Sequence, residues 1–538
     1  MELPVEIGNF KGRGVITCFL KPLFKTIKVA LLLALSYFFI GIAKSSEKIT
    51  VYKVKTLPNV TNLMLKPRYW INKLSNPDKI IMTLSEINDF NYNNIYKRSV
   101  RLVDLLNHKN LLSKDELTAL ILTWPIPQKG STPEYLNGKL INPVKYYKRI
   151  ETQRNLKGVK DSNRVLYGFV INRAAVLSFP TTDRIFSHPK DNEFSTLIGT
   201  TLTIAQPVRI LHTSANKKWY YVQSRDYIGW ILAEAVAIAE KEEWENYYKQ
   251  THLTKDIYKE EASLTHPDLE LELNMKFPLE AFEAPSQTKV PTNSLVITAN
   301  ELRLGLNPYI PELSNLIIPM GTALPLVETD EELINNQSVT GNYVVSIPTR
   351  SKEGKVIFKK ALIPYNADVN EGFLPYTLKN VIELAFKIKG QRYGWGGDFG
   401  GRDCTSTLQD IYKVFGIHLA RNSGDQLRSW GQITHFYSTD SQIMRENKLL
   451  QLQPGSLLYF KGHAMLYLGY EKQDKIINFY AIHNISSYGA GPSSDSSIAL
   501  GRGILNEVVV SSLEIPRRNG ISFLTSLEAG VEITPVLE

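Results

Sequence analysis

Hydrophobic and polar positions recur with different periods along the chain and divide it into stretches of different structure. Residues 46–160 place apolar residues at intervals near 3.6, most regularly in "NIYKRSVRLVDLLNHKNLLSKDELTALI" (residues 94–121). This spacing predicts a helical N-terminal domain. A Pro-containing stretch, "TWPIPQKGSTPEYLNG", closes it. Because no residues there suggest chemistry, we expect this domain to have a packing or clamp role.

Short apolar segments separated by polar turns begin near Val165 and predict a small β-barrel. They are "RVLYGFVI", "TTLTIAQPVRILHTS", "KKWYYVQS" and "YIGWILAEAVAIA". A similar pattern returns later: "GTTLTIA" (Gly199–Ala205) aligns with "GTALPLV" (Gly321–Val327) at an offset of 122, and Tyr221–Val222 aligns with Tyr343–Val344. We therefore predict two related barrels, over residues 165–240 and 290–375; the alternative is chance similarity. The charged, then Pro-rich residues 241–289 predict a helix and linker laid over the surface.

The last stretch, residues 376–538, reads as helices followed by strands. "TLKNVIELAFKIKG" predicts an amphipathic helix with Thr377 as its cap and Gly390 as its end. A glycine-rich loop, "QRYGWGGDFGGRD", leads into a second helix, "CTSTLQDIYKVFG". Asp403 is a plausible N-cap, so Cys404 would be the first residue inside that helix.

The N-terminus carries a segment of a different kind. Three lysines precede "VALLLALSYFFIGIA" (Val29–Ala43), which is followed by polar residues. A basic flank, about 15 apolar residues and small residues at the end are typical of a secretory signal peptide, and the run is short for a membrane span of about 20 residues. Three interpretations stay open: a cleaved signal over residues 1–43, a retained signal anchor, or a buried helix. The first two predict an exported protein of the periplasm or cell envelope, with membrane contact only if the segment is retained.

Composition and charge narrow the class of partner. The 538 residues are 43% hydrophobic and 21% charged, which is typical of folded soluble domains. The formal charge is +9, and the basic residues are scattered. Nucleic-acid binding needs a dense basic patch, so we expect no nucleic-acid partner. We expect a monomer, and a mildly basic surface would suit anionic polymers of the cell envelope.

The chain has only two cysteines, Cys18 and Cys404. If the signal is removed, Cys404 stands alone and cannot form an internal disulfide, so it is either a buried small side chain or a reactive thiol. A helix start favours the thiolate, so the placement predicts a pKa for Cys404 below the ordinary value of about 8.5.

A reactive thiol needs a base and a group that orients the base. His463 in "GHAMLYLGY" and His483 in "INFYAIHN" lie on two predicted strands joined by the turn "EKQDK". If Tyr470 pairs with Ile476, then His463 lies directly opposite His483, where Cβ atoms are about 5 Å apart. We therefore predict His463 as the base and His483 as its orienting group; the alternative is two half-buried strand histidines without a catalytic role.

The pairing of Tyr470 with Ile476 also places Met465 opposite Ala481 and Tyr467 opposite Phe479. His418 and His435 lie in loop-like sequence and are left without a function. Because no CxxC or HxxxH spacing is present, no metal site and no cofactor are expected.

The motifs "YGWGGDFGGRDCTS" and "GHAMLYLG", with a later histidine on the next strand, resemble the catalytic domain of the NlpC/P60 cysteine peptidases. A helical N-terminal domain and two bacterial SH3-like (SH3b) barrels before that domain extend the resemblance. It implies a multidomain α+β protein with a papain-like catalytic domain. It also implies hydrolysis of peptidoglycan stem peptides at the bond from γ-D-glutamate to a diamino acid. In relatives with SH3b barrels, the first barrel restricts the enzyme to stem peptides with a free N-terminal L-alanine.

The resemblance also implies roles for individual residues. Cys404 matches the nucleophile, His463 the base and His483 the third polar group. The residues matched to substrate contacts are Tyr393, Asp403, Thr405, Asn422, Ser423 and Tyr227. Relatives usually have Ser at the position of Thr405 and often Asp at that of Asn422.

Simpler roles remain open for several of these residues. Tyr393 and Trp395 could be ordinary aromatic packing, Tyr227 and Trp230 could belong to the barrel core, and Gly396 and Gly397 could serve only the turn. The rival function is a non-catalytic wall-binding protein with an inactive peptidase domain. A third is an acyltransferase on the same papain-like fold.

Overall fold

The structure is a computed structural model that describes residues 54–127, 132–255, 288–289, 293–493 and 498–535. Residues from Thr56 onward form one contact unit, separate from the residues before it. The apolar segment Val29–Ala43 and most of the predicted linker lie outside the described residues, so both stay predictions. Helices with the length and apolar character of a membrane span are absent from the described ranges.

The N-terminal region mixes short helices with short strands. Its helices span Pro67–Ile71, Leu84–Tyr96, Lys114–Ile121 and Pro143–Glu151, followed by 3-10 turns at Thr152–Arg154 and Leu156–Gly158. Its strands span Ile80–Met82, Leu111–Ser113, Tyr135–Leu136, Lys139–Leu140 and Ser162–Arg164. The hairpin of Tyr135–Leu136 and Lys139–Leu140 pairs with Ile185–Phe186 of the first barrel region.

Residues 97–113 do not form the continuous helix that their spacing predicts. Asp104 Oδ1 accepts hydrogen bonds from the backbone amides of Leu106 (3.0 Å) and Asn107 (3.3 Å). Such a side-chain turn competes with the helical hydrogen bonds of the same backbone. Ser113 then starts a new helix with a reciprocal capping box. The period of 3.6 is therefore interrupted by a local polar turn.

The N-terminal region shares its core with the C-terminal domain. Trp70 and Phe90 are fully buried in the same apolar cluster as Leu384 and Leu408 of the C-terminal helices. The strand Ile80–Met82 also pairs with the first residues of the C-terminal domain. The first part of this region therefore packs on the C-terminal helices and shares their core.

The first barrel is one antiparallel sheet whose described strands run in the order β7-β1-β4-β5-β6-β2-β3. The strands are β1 (Leu166–Val170), β2 (Ala174–Leu177), β3 (Ile198–Leu202), β4 (Pro207–Thr213), β5 (Trp219–Gln223), β6 (Ile228–Leu232) and β7 (Val236–Ala239), with a 3-10 turn at Ala233–Ala235. Their inward side chains, including Val170, Val208 and Ile231, form a closed apolar cluster. The barrel predicted over residues 165–240 is thus present in the structure.

The second β-unit shares part of the strand pairing of the first, but its strands are divided among separate small sheets. Its strands are β8 (Ser294–Ile297), β9 (Glu301–Arg303), β10 (Ile317–Pro319), β11 (Ala323–Pro325), β12 (Asn342–Arg350), β13 (Val356–Pro364) and β14 (Val369–Glu371). It also holds a hairpin of Leu333–Ile334 and Gln337–Ser338 and a 3-10 turn at Pro311–Leu313. In both units the first strand pairs with the fourth and seventh, the second with the third, and the fifth with the sixth.

The sequence offset of 122 does not align equivalent positions throughout. Gly199 lies inside β3, whereas Gly321 lies in the turn between β10 and β11 with a φ of 77°. The corresponding turn of the first unit holds Ala205, also at positive φ (66°). The tyrosines at 221 and 343 do fall on equivalent strands, β5 and β12.

The helix Lys241–Thr251 lies between the two β-units, followed by short paired strands at Thr254–Lys255 and Thr288–Lys289. The prediction of a surface helix is wrong for one of its faces. Trp244 and Tyr247 are buried in a cluster that also contains Leu295 and Ile347 of the second unit. Trp244 Nε1 donates to the Gly168 carbonyl of the first barrel (3.1 Å). The aromatic face of this charged helix therefore joins the two units.

The C-terminal domain packs helices against an antiparallel sheet whose strands do not follow chain order. Its helices span Leu378–Lys387, Cys404–Lys413, Ser423–Gln426, Gln442–Gln451 and Phe523–Ser526, with a strand at Tyr376–Thr377 and a 3-10 segment at Trp395–Gly400. Its sheet has the order β15-β20-β16-β17-β18-β19. These strands are β15 (Gln432–His435), β16 (Leu457–Phe460), β17 (His463–Gln473), β18 (Ile476–Gly489), β19 (Arg502–Ser512) and β20 (Ala529–Glu532). The predicted Thr377 cap is confirmed. The helix ends at Lys387, three residues before Gly390, which has a φ of 82°.

Candidate active site

Cys404 is the first residue of the helix Cys404–Lys413, as the sequence predicts. Asp403 Oδ1 accepts the Ser406 backbone amide (3.0 Å), and the Ser406 hydroxyl accepts the Asp403 amide (2.9 Å). This capping box fixes the direction of the helix start. The apolar side of the helix, including Leu408 and Ile411, packs in the same core as strands β17 and β18. The sulfur is therefore carried on a rigid element against the sheet.

The predicted low pKa of Cys404 is wrong for the unliganded protein. Burial, with a smaller contribution from the neighbouring Asp403 carboxylate, raises the pKa of the thiol to about 12. The backbone amides of Ala464 and Thr405 act in the opposite direction but do not compensate. A helix start lowers a thiol pKa only where the charged form keeps enough solvation, and here desolvation dominates.

The two predicted histidines are in direct contact. His463 Nε2 and His483 Nδ1 are 2.8 Å apart, and both rings are buried. Their ring planes are nearly perpendicular, at 72°. Phe523 packs against both rings and Phe460 against that of His463, so little water reaches the pair.

The strand register that led to this pair is nevertheless wrong. Ile476 pairs with Gln473 and not with Tyr470, because the hairpin turn contains only two residues, with Asp474 at a φ of 53°. Ala481 consequently faces Tyr467, and Phe479 faces Tyr470. Next to the histidines the partner numbers sum to 948 instead of the predicted 946. The slip is three residues at the turn, and a β-bulge between Tyr467 and Gly469 reduces it to two next to the histidines. A slip of two residues keeps every side chain on its face, so the imidazoles meet diagonally.

Ser511 extends the histidine pair by one group that sequence reasoning missed. Its Oγ lies 2.8 Å from His483 Nε2, on the neighbouring strand β19. If His463 Nδ1 is to accept a proton, His463 Nε2–H must donate to His483 Nδ1, and His483 Nε2–H must donate to Ser511. The three side chains thus define one consistent set of tautomers. No local signal marks Ser511, because its position depends on the pairing of β18 with β19.

His463 is neutral in the resting site. Burial lowers its pKa to about 3, and the positive charge of Arg517 adds to this effect. Burial also lowers the pKa of His483 well below its ordinary range. At neutral pH the site therefore holds a thiol beside a neutral imidazole.

Asp403 forms a buried ion pair with Arg421, a residue that sequence reasoning did not single out. Arg421 donates to both carboxylate oxygens of Asp403, and both side chains are almost completely buried. The Arg421 guanidinium also donates to the Thr405 hydroxyl (2.7 Å) and to Thr200 Oγ1 of the first barrel (2.8 Å). The Thr405 hydroxyl in turn donates to Asp403 (3.1 Å). Asp403 and Thr405, matched to substrate contacts by resemblance, are thus held in this cluster.

The first barrel lies directly against the glycine-rich loop of the C-terminal domain. Thr201 Oγ1 donates to the Gly396 carbonyl (2.8 Å), and Arg173 donates to the Gly397 carbonyl (2.8 Å). Both glycines have positive φ, at 61° and 85°. A Cβ on Gly397 would lie 2.7 Å from the side chain of Thr201. The glycines therefore serve the close approach of the barrel as well as the turn.

Aromatic side chains from the barrel and the loop meet beside the thiol. Phe194 lies 6.0 Å from both Tyr393 and Trp395 between ring centroids. Trp395 is 41% exposed and donates to the Ser195 carbonyl (3.2 Å). Burial raises the pKa of Tyr393, and the charges of Cys404 and Asp403 raise it further. Its hydroxyl therefore stays protonated and close to the nucleophile.

Tyr227 lies at the same barrel face and is covered by the N-terminal region. Trp124 stacks on its ring at 5.8 Å and donates to the backbone of the next residue. The Tyr227 hydroxyl fits over Gly199, where a Cβ would come within 1.6 Å of it. Burial raises the Tyr227 pKa to about 12, and the positive charge of Arg421 opposes this. Tyr227 therefore lies near the Asp403–Arg421 pair, whereas Trp230 is barrel core.

The remaining predicted residues lie at the edge of this cluster or elsewhere. Asn422 is exposed and Ser423 half-buried, at the start of the short helix that follows Arg421. His435 is exposed on β15. His418 lines a different cavity, which does not include Cys404. Within the described residues, no group of three or more His, Cys, Asp and Glu side chains could hold a metal ion.

A helix-start cysteine beside a hydrogen-bonded histidine pair is the arrangement that thiol hydrolases use. Residues 390–488 match the model of the NlpC/P60 family, and residues 184–232 match the model of an SH3 domain of the SH3b1 type. The chain therefore carries an NlpC/P60 domain and a bacterial SH3 domain. The match to this family supports a role as a cell-wall hydrolase. The second β-unit and the N-terminal region are not covered by either match.

A solved structure supports the fold. An NlpC/P60 endopeptidase from Photobacterium damselae subsp. piscicida superimposes with a TM-score of 0.60 at 17% identity, over 85% of this chain and 97% of that one. An NlpC/P60 family protein from Bacillus cereus, also 17% identical, gives a TM-score of 0.42 over 69% of this chain and 100% of its own. No curated protein matches the chain.

Proposed function

We propose that this protein is a cysteine endopeptidase that cleaves the bond between γ-D-glutamate and a diamino acid in peptidoglycan stem peptides. The observation that carries the proposal is the hydrogen-bonded line from His463 through His483 to Ser511 beside the buried thiol of Cys404. A line of this kind supports a proton acceptor with a fixed tautomer, which an inactive wall-binding domain would not need.

The proposed reaction begins from the neutral thiol and the neutral imidazole. His463 Nδ1 accepts the thiol proton while the sulfur of Cys404 forms a bond to the γ-carbonyl carbon. The imidazolium then gives its proton to the amine of the diamino acid as the carbon–nitrogen bond breaks. Water, deprotonated by His463, hydrolyses the remaining thioester. The Tyr393 hydroxyl and the Cys404 backbone amide are the proposed donors to the oxyanion.

We further propose that the substrate is a stem peptide with a free N-terminal L-alanine. The close contact of the first barrel with the loop at Gly396 and Gly397 supports a cleft that is closed on one side. The buried Arg421 already neutralises Asp403. The L-alanine ammonium would therefore meet neutral acceptors, for which the Tyr227 hydroxyl and the Asn422 amide are the candidates. Ser423 belongs to the same proposed pocket.

Digestion of purified stem peptides, followed by mass analysis of the products, tests the function. We expect the free L-Ala-γ-D-Glu-diamino-acid peptide to be cut between its second and third residues. Cys404→Ala should abolish turnover while the protein stays folded. An N-acetylated peptide should react at least about tenfold more slowly, because the hydrogen bonds of the ammonium are lost. Wild-type turnover by Cys404→Ala would disprove the nucleophile, and equal rates on both peptides would disprove the closed cleft.

Asp403→Asn separates a structural role of this carboxylate from a substrate contact. Because the substitution leaves Arg421 buried without its counter-charge, we expect lower stability and an equal loss of rate on free and acetylated peptides. A loss confined to the free peptide would instead show that Asp403 binds the ammonium directly.

A further inference from the structure

A second cavity lies where four parts of the chain meet, away from the thiol. It has a volume of about 90 Å³ and is bounded by the first barrel, the helix between the two β-units, the second β-unit and the C-terminal end of the helix Cys404–Lys413. A single buried water needs about 10–15 Å³ on this measure, so the cavity has room for a group of several heavy atoms.

Basic and donor side chains converge on this cavity. Arg225 comes from the first barrel, His252 follows the interbarrel helix, and Lys413 and His418 come from the C-terminal domain. The rings of His252 and His418 stack at 5.8 Å, and Tyr248 stacks on the other face of His252 at 4.2 Å. Three of the four parts of the chain around the cavity thus contribute at least one of these side chains.

Two of these groups are left without a matching partner. The His418 Nε2 atom is buried and has no hydrogen-bond partner. Arg225 donates to the Tyr248 hydroxyl, but within the described residues no carboxylate lies within ion-pair distance of it. Burial lowers the pKa of Arg225 to about 10, and the charges of Asp104 and Asp226 act on it only through space. Arg225 is half-buried, and a guanidinium partly removed from water without an ion-pair partner favours an anionic ligand.

The acidic residues of the cavity wall are already engaged. Asp410 forms ion pairs with both Lys413 (3.1 Å) and Arg402 (2.6 Å). Asp226 accepts hydrogen bonds from Gln409 (2.6 Å) and from its neighbour Ser224 (3.0 Å). Asp410 is thus neutralised, while Asp226 is bound by uncharged donors only. The groups of the wall that remain available to a ligand are the guanidinium of Arg225 and the Nε2 atom of His418.

We propose that this cavity binds a small oxyanion of the phosphate class, held by Arg225 and His418. The Nδ1 atom of His252 is already engaged with the Tyr248 carbonyl and the Thr251 hydroxyl. Guanidinium and imidazole donors suit the several acceptor oxygens of such an ion. The bound ion would join the first barrel to the C-terminal domain. Arg225 is followed by Asp226, which accepts a hydrogen bond from Gln409 in the helix of Cys404. The next residue is Tyr227, which lies on the barrel face near Arg421. Occupation of the cavity would therefore stiffen the barrel wall beside the active site without contact with the substrate.

Thermal unfolding of the full chain with inorganic phosphate tests the proposal. The unfolding midpoint should rise with phosphate concentration and saturate, at constant ionic strength set with chloride, because a ligand of the folded state stabilises it. Glycerol phosphate is the second probe. An equal response to both probes shows that the site accepts a phosphoryl group of a larger molecule, and a response to phosphate alone shows a free-ion site; both support the proposal. No saturable rise with either probe would overturn it.

Two variants and one control localise the effect. His418→Phe keeps a ring in the same place and removes an Nε2 atom that has no partner, so the variant should fold. It should weaken the apparent affinity for phosphate by at least about tenfold, as expected for one charge-assisted hydrogen bond. Arg225→Gln should abolish the response. Lys475→Gln, in the exposed turn between β17 and β18, should respond as the wild type does. An unchanged phosphate response in both cavity variants would overturn the assignment.

Discussion

At the scale of single residues, burial decides the protonation of the helix-start thiol and of the histidines beside it. The sequence shows that Cys404 follows an N-cap, and a helix start by itself favours the thiolate. It does not show how deeply the sulfur is buried, and burial decides the outcome here. For the same reason the Asp403–Arg421 pair was missed, because an arginine 18 positions along the chain gives no local sign of its partner.

The resting site should contain a thiol and not a thiolate. Because burial raises the pKa of Cys404 to about 12, the deprotonated form appears only as the pH rises towards that value. We expect no thiolate absorbance in the far ultraviolet up to about pH 9, and slow alkylation of the free enzyme in the same range. Cys404→Ala is the control, since it leaves the Cys18 signal unchanged. A thiolate signal specific to Cys404 near neutral pH would contradict this expectation.

The hydrogen-bonded line behind the thiol predicts a graded series of losses. His463→Ala should lower kcat/KM by about 10²–10⁴, the usual contribution of a general base. His483→Gln should be milder, because an amide oxygen can still accept from His463 Nε2. Ser511→Ala removes only the outermost partner of His483 (2.8 Å), so we expect a loss of a few-fold, in line with about 1 kcal/mol for a neutral hydrogen bond. If Ser511→Ala is as damaging as His463→Ala, the assigned tautomers are wrong.

At the scale of elements, the sequence predicted most strands and helix starts, and its errors have identifiable causes. Alternation and caps are local, so the first barrel and the helices starting at Leu378 and Cys404 were found. Pairing register is not local. The predicted turn before Ile476 is three residues too long, and only the bulge between Tyr467 and Gly469 returns His463 to the side of His483. The helix predicted across residues 97–113 is absent because the side chain of Asp104 forms a turn that periodicity does not reveal.

The contact of the barrel with the glycine-rich loop can be tested with a matched pair of substitutions. Gly397 and Gly400 both have positive φ, at 85° and 73°. A Cβ at Gly397 would collide with Thr201, whereas a Cβ at Gly400 meets nothing within 4 Å. Gly397→Ala should therefore lower kcat/KM and stability more than Gly400→Ala, which carries only the backbone strain of about 1 kcal/mol. Equal effects would show that the barrel contact does not matter for the site.

At the scale of the whole molecule, the described parts of the chain act as one body whose stability depends on buried neutral histidines. Burial lowers the pKa values of His252, His418 and His483 well below their ordinary range and that of His463 to about 3. The order of the domains followed from the sequence. The way in which the N-terminal region and the interbarrel helix share cores with their neighbours did not, because no local pattern reports such contacts.

These histidines predict a loss of stability in acid. In the unfolded chain they bind protons below about pH 6.5. In the folded protein their pKa values are lower, so below that pH the unfolded state binds more protons and the free energy of unfolding falls as pH falls. Their contribution is complete above about pH 6.5. Denaturant unfolding at several pH values should show this slope, and His418→Phe should reduce it. A slope unchanged in His418→Phe would exclude this residue as one of its sources.

The core shared by the N-terminal region and the C-terminal helices also sets an order of events during folding. Tyr480 donates to the backbone of Asn59, 421 positions earlier, and Tyr69 binds Glu471 across 402 positions. Contacts between such distant residues form late, because a long loop must close before they stabilise anything. The apolar residues at the start of the described chain thus lack their packing partners until nearly all of the chain has been synthesised. The line behind the thiol likewise needs Ser511 of β19, so a chain that ends before this strand lacks the outer partner of His483.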